Sequence, residues 1–167
     1  MVLVRAATMA DWRVLRDTRL AALQDAPHAF LATYAVEEAF GEMDWRRRIS
    51  RGGTFFAHVP EVCGTAPAGI AGAFQEKNKP ATVELVSLWV RPKVRGLGVG
   101  EALVGAVIKL ARARNAAAVH LWLTEMNKHA RSLYERCGFS STGERQPLPS
   151  NPNVDEVGMI LPLLSAR

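Results

Sequence analysis

Apolar residues recur along the chain at two spacings, and the switches between them outline the secondary structure. Val2 to Arg5 alternates like a short strand. Thr8-Met9-Ala10-Asp11 carries a Thr-x-x-acid capping pattern, which predicts a helix from there to about Gln24, with Pro27 as its stop. A second helix is predicted from Val36 to Arg51, with Phe40, Met43, Trp45 and Ile49 facing inward and Gly52-Gly53 closing it. Thr54 to Val59 and Ala68 to Gln75 read as strands separated by a loop with Pro60, Gly64 and Pro67, and Lys77 to Pro80 reads as a hairpin turn. Val83 to Val90 is β-branched and apolar enough for a central strand, ended by Pro92.

From Val99 the apolar positions 99, 102, 103, 106, 107, 110 and 111 follow a helical period to about Asn115. Val119 to Leu123 is a further strand. Asn127 to Cys137 forms a short helix with Ala130, Leu133, Tyr134 and Cys137 on one face, and Gly138 fits the left-handed position after its end. Phe139 to Gly143 and Val157 to Leu161 complete the strands, joined by a loop holding Pro147, Pro149 and Pro152. The order β-α-α-β-β-β-α-β-α-β-β predicts an α/β (α+β) protein: one mixed, twisted sheet of six to seven strands flanked by about four helices. No repeat or linker divides the chain, so residues 1–167 are expected to form one domain.

Composition narrows the class. Hydrophobic residues make up 49% and charged residues 22%, an ordinary globular mixture. No apolar run approaches the ~18 to 20 residues of a membrane span, and Met1 to Asp11 lacks the pattern of a secretory signal. Cys63 and Cys137 have no metal-binding spacing and read as free thiols of a cytoplasmic protein; the four histidines form no HxxxH pair. No metal is expected. The net charge of +5 is scattered except at Arg46-Arg47-Arg48, which reads as a solvated helix face, and no basic stripe with interleaved aromatics suggests nucleic acid. Monomer and homodimer are both compatible with the pattern.

Chemistry concentrates in Arg95-Gly96-Leu97-Gly98-Val99-Gly100, between the central strand and the strongest helix. A helix start leaves amides without partners and carries about half a positive charge. Glycines let that backbone approach a phosphate, and Arg95 adds a charged donor. The segment therefore predicts a diphosphate cradle. A dinucleotide fingerprint fails, because Glu101 stands three residues after Gly98, and no Gly-Lys-Ser/Thr supplies a P-loop.

The loop resembles that of the GNAT acetyltransferases, Arg/Gln-x-x-Gly-x-Gly/Ala, filled here by Arg95, Gly98 and Gly100. Val90-Arg91-Pro92 before it, and Asn127-x-x-Ala130-x-x-x-Tyr134 followed by Gly138-Phe139 after it, extend the resemblance from about Val83 to Phe139. It implies acetyl-CoA as co-substrate. Leu88, Trp89 and Val90 would pair with its pantetheine arm, Gly96, Leu97, Gly98, Val99, Gly100 and Glu101 would meet its diphosphate, and Asn127 would touch the arm.

Transfer of an acetyl group to an amine requires loss of the ammonium proton and a donor for the developing oxyanion, and a proton for the departing thiolate helps. The Val90 amide is the candidate oxyanion donor. Tyr134 stands where the resembling family carries its proton-donating tyrosine. Glu84, six residues before Val90, stands where histone-type members place a glutamate base, and flanking Val83 and Leu85 give it an apolar setting. Ribosomal-protein alanine acetyltransferases carry a basic glutamate five residues before the helix asparagine; here that residue is Trp122, and Glu125 belongs to the turn. Phe30 and Tyr34 are candidates to shape the acceptor pocket. His129 reads as a surface residue, and Cys137 as packing. The resulting expectation is an acetyl-CoA-dependent N-acetyltransferase of unspecified primary amine. The alternative is a non-catalytic acyl-CoA sensor of the same fold.

Overall fold

The computed structural model describes residues 1–164. Seven strands form one sheet: β1 (Leu3–Ala6), β2 (Thr54–His58), β3 (Gly69–Phe74), β4 (Thr82–Val90), β5 (Ala118–Thr124), β6 (Ser140–Leu148) and β7 (Asn151–Pro162). Their spatial order is β1-β2-β3-β4-β5-β7-β6, and β4–β5 is the parallel pair in an otherwise antiparallel sheet. Six α-helices decorate it: α1 (Trp12–Asp25), α2 (Tyr34–Glu38), α3 (Glu42–Ser50), α4 (Pro60–Cys63), α5 (Val99–Ala113) and α6 (Lys128–Arg136). The expected mixed sheet of seven strands flanked by helices is present, with six α-helices among the described residues where about four are expected.

Each face of the sheet carries its own core. On one face α5 inserts Val99, Leu103, Val104, Val107 and Ala111, all buried, against Ala71, Val83, Leu85, Val119 and Leu121. Each fully buried valine or leucine stabilises that contact by about 1.5–3 kcal/mol, so the helical stripe alone holds α5 to the strands. On the other face Trp12, Leu15, Leu23, Trp45 and Ile49 from α1 and α3 cover Phe56, Ile70 and Trp89. Strand residues alternate between faces; Val83 and Leu85 face α5, so Glu84 and Val86 face the α1–α3 side.

Five local expectations are corrected. The single helix from Val36 to Arg51 is two helices, because Gly41 takes the extended cap position of α3 and its amide donates to Asp44 Oδ2 at 3.0 Å. Arg46-Arg47-Arg48 is not wholly a solvated face: Arg48 turns inward to Glu37. The proline-bearing connection between the last strands is largely strand, with Pro147 in register opposite Asp155. Proline is tolerated there because β6 is the sheet edge, where an absent amide leaves no neighbour unpaired. The short α4 lies in what reads as loop, and the first helix opens with a 3-10 turn at Met9–Asp11.

Candidate active site

The central strands part. β4 pairs with β5 through Thr82↔Ala118, Val83↔Val119 and Glu84↔His120 and no further, although both strands continue. β4 stays with β3, and β5 stays with β7 as far as Thr124. A wedge therefore opens from Glu84 towards Val90. β4 also carries a bulge: Ile70 pairs with Trp89 but Gly72 with Val86, and Ser87 adopts φ 56°, left-handed for a non-glycine residue.

A cleft of about 840 Å³ occupies the wide end of the wedge, between β4, α5 and α6. Leu88, Trp89, Val90, Arg95 and Gly96 line it, as do Gly98, Val99, Gly100, Glu101 and Asn127. These are ten of the eleven residues that the sequence nominates for the cofactor. Leu97 is the exception, with its side chain 53% exposed away from the cleft. The amides of Gly96, Gly98, Val99, Gly100 and Glu101 donate to no backbone carbonyl among the described residues. They stand at the start of the 15-residue α5, where the helix field is positive.

Gly96 and Gly98 both have positive φ, +81° and +82°, and a Cβ on either would meet nothing within 4 Å. Their conformation, not crowding, selects glycine. At Gly100 the reason is space: a Cβ would come within 2.8 Å of Leu133 on α6. The backbone donors and cleft fit a diphosphate with an extended arm. Asn127 caps α6, its Oδ1 accepting from the Ala130 amide at 3.1 Å.

Arg95 is committed otherwise than the sequence suggests. Its guanidinium pairs with Asp25 at the end of α1 and donates to the Val90 carbonyl at 3.0 Å. Trp89 Nε1 donates to the same Asp25 at 2.8 Å. These bonds, the Trp89 donor first and then Arg95, hold the Asp25 carboxyl below its usual range. They also tie α1 to the rim of the cleft.

Glu84 lies at the apex of the wedge, 8% exposed, with Oε2 2.9 Å from Nδ1 of His120. His120 Nε2 is buried without a hydrogen-bond partner, its nearest carboxylate being Glu144 at 3.5 Å. The bond to Glu84 raises the His120 pKa above its ordinary 6.5 despite burial, and the charge of Glu144 adds to the effect. Sequence reasoning missed His120: its partner stands 36 residues away, and only strand pairing joins them. Trp122 packs edge-on to the His120 ring at 5.2 Å.

Tyr134 is 7% exposed and packs beside Phe139, with ring centroids 5.8 Å apart. Burial pushes its phenol far above the usual range, so it keeps its proton. Neither Tyr134 nor Glu84 lines the 840 Å³ cleft. Phe30 does, alongside Ala26 and Ala29, whereas Tyr34 packs against the α1–α3 core. His129 is exposed at the cleft rim, Glu125 is bound by Arg145 at 2.9 and 2.7 Å, and burial raises the Cys137 thiol pKa. No group of three or more His, Cys, Asp or Glu that could hold a metal occurs among the described residues. No described helix is long and apolar enough to cross a membrane.

Residues 20–139 match the model of the acetyltransferase (GNAT) family. The chain belongs to the GNAT family. Among curated relatives, the spermine/spermidine N(1)-acetyltransferase of Bacillus subtilis is 32% identical over 85 residues, 50% of this chain and 56% of that protein. N-acetylaspartate synthetase of Danio rerio is 38% identical over 78 residues, 47% of this chain and 27% of that protein. The chain thus spans about half the length, or less, of the curated relatives it matches. Solved GNAT folds superpose over nearly the whole length. The yncA protein of Salmonella typhimurium, solved with its cofactor acetyl-CoA, has a TM-score of 0.76 at 19% identity, covering 100% of this chain and 96% of that one. Ard1 from Thermoplasma volcanium has a TM-score of 0.74 at 20% identity, covering 98% and 99%.

Proposed function

We propose that this GNAT domain is a cytoplasmic, acetyl-CoA-dependent N-acetyltransferase that acts by direct attack of a bound primary amine. The observation that carries the reading is the wedge itself: β4 leaves β5 after Glu84, and unpartnered amides of α5 face the space that opens. Acetyl-CoA supplies an activated thioester carbonyl when bound. The amides from Gly96 to Glu101 hold its diphosphate, and Leu88 to Val90 fix the arm.

The chain's own groups then have distinct tasks. The Val90 amide steadies negative charge on the thioester oxygen as the nitrogen–carbon bond forms. Glu84, with His120 behind it, accepts the ammonium proton through water; a histidine lifted above 6.5 by a carboxylate suits an amine that must be deprotonated near neutrality. As the carbon–sulfur bond breaks, the Tyr134 phenol donates a hydrogen bond to the thiolate. Its high pKa limits this to modest help, since a thiolate of pKa ~8.5 already leaves tolerably.

The burial of Tyr134 favours one second reading, a non-catalytic acyl-CoA sensor. The two separate in one assay. An N-acetyltransferase releases CoA only when an amine is present, and Tyr134→Phe slows that release while leaving acetyl-CoA affinity intact. A sensor binds acetyl-CoA tightly, releases none, and is indifferent to the substitution.

A further inference from the structure

A second cleft, of about 260 Å³, lies on the α1–α3 face of the sheet, beside the cofactor cleft. Its floor is Ala71 to Phe74 of β3 and Val86–Ser87 of β4, and its wall is Arg19, Arg48 and Arg51. None of the residues lining it is acidic. Consecutive residues of one strand therefore serve two sites: Ser87 faces this cleft, and Leu88 faces the cofactor cleft. Phe74 stands in register with Glu84, and Glu84 shares a face with Val86, so the base candidate adjoins the same floor.

The three guanidiniums are arranged unequally. Arg19 is 7% exposed and fully engaged, donating from Nε to Glu37 Oε2 at 2.9 Å and from Nη1 to Ser87 Oγ at 2.9 Å. Its guanidinium also lies 4.5 Å from the centroid of the Phe30 ring, which lines the cofactor cleft. Arg48 shares Glu37, at 2.7 Å, and keeps a third of its side chain exposed. Glu37 is wholly buried. Burial alone would raise its pKa, and the bonds from Arg19 and Arg48 more than offset this, so it stays charged. One carboxylate thus balances two guanidiniums, which leaves an excess positive charge before Arg51 is added. Arg51 is exposed and makes no ion pair among the described residues.

We propose that this arginine-lined cleft binds the carboxylate of the acceptor, making the substrate a small amino-carboxylate such as an amino acid. The inference rests on the transferase reading and names its substrate class. Guanidiniums match carboxylates in shape as well as charge. A cleft of 260 Å³ lies just below the ~300–1,000 Å³ of drug-sized ligand sites, a size for an amino acid. Positive charge beside the amine disfavours its ammonium form and so helps make the nucleophile. It also repels polyamines.

The test is a CoA-release panel of free amino acids, each paired with its amide, plus spermidine, run on wild type, Arg51→Gln and Arg51→Lys. At least one free amino acid should exceed its amide in kcat/KM by about tenfold or more, the worth of one charge-assisted hydrogen bond. That ratio should approach one in Arg51→Gln and partly recover in Arg51→Lys, while acetyl-CoA Kd by calorimetry stays constant. Amides or spermidine used as well as, or better than, every free acid would overturn the proposal. Should nothing turn over although acetyl-CoA binds, NMR titration of the same pairs decides separately. Carboxylate-dependent shifts at Arg51 that vanish in Arg51→Gln would uphold the cleft and remove the transferase reading; their absence would remove the cleft as well.

Discussion

The two clefts of this sheet offer a ligand different parts of the chain. Around the wide wedge the donors are main-chain amides, those of Gly96 and of Gly98 to Glu101, and the demanding positions are glycines. Across β4 the donors are side chains, and they come from distant segments: Arg19 reaches Ser87 across 68 positions and Glu37 across 18. A backbone site needs only local conformation, so it tolerates changes in its side chains, as exposed Leu97 illustrates. A side-chain site depends on an ion network that must stay balanced. Damage to the two sides should therefore read out differently.

The largest effect is expected at Glu37. Removing its carboxylate in Glu37→Ala leaves Arg19 as a buried, uncompensated charge, and loss of one partner of a buried pair costs about 3–5 kcal/mol. Urea denaturation should show that loss. A change below about 1 kcal/mol, the worth of a surface pair, would erase the distinction between the two sides.

Gly98→Val sharpens it from the other direction. A left-handed β-branched residue costs roughly 1–2 kcal/mol in stability. Acetyl-CoA affinity, measured by calorimetry, should fall on the order of a hundredfold through displaced amides. Retained affinity would mean that the amides do not hold the ligand. Tyr134→Phe should lower turnover by about a hundredfold at most, the lower end for a proton donor, with acetyl-CoA Kd unchanged. An equal loss in both would make Tyr134 a packing residue.

The smallest expected effect is a pH dependence at the apex. His120 faces Glu84 from β4, Glu144 from β6 and Trp122 from its own strand. Its folded pKa lies above 6.5, so the protonated pair contributes fully below 6.5, and that contribution is lost as pH rises through the folded value. Over the same window a base becomes available, so kcat/KM should climb as the stability increment declines. His120→Gln should flatten both curves. Persistence of both inflections in the variant would assign them to another group.

Legibility in the sequence follows the same divide. The loop, the α5 stripe and the Asn127 helix are local, and ten of eleven cofactor nominations line one cleft. The break at Gly41 is hidden because apolar spacing runs through it, whereas the cap that decides it is a bond from the Gly41 amide to the Asp44 carboxylate. Pro147 signals loop to any local reading; only the edge position of β6 makes it acceptable within the long final hairpin. Glu84 was visible as a residue, but His120 was not visible as its partner, nor Glu37 as the hub of two arginines. Such pairs exist only once strands and helices have met.

The central claim is that amides from Gly96 to Glu101 grip acetyl-CoA in the wedge. It is tested most directly by following backbone amide resonances during an acetyl-CoA titration of the wild-type protein. Shifts should concentrate at Gly96–Glu101 and Leu88–Val90, with the same binding constant throughout and little change at Arg51. Saturation with those resonances unmoved, and the perturbation lying elsewhere, would contradict the account.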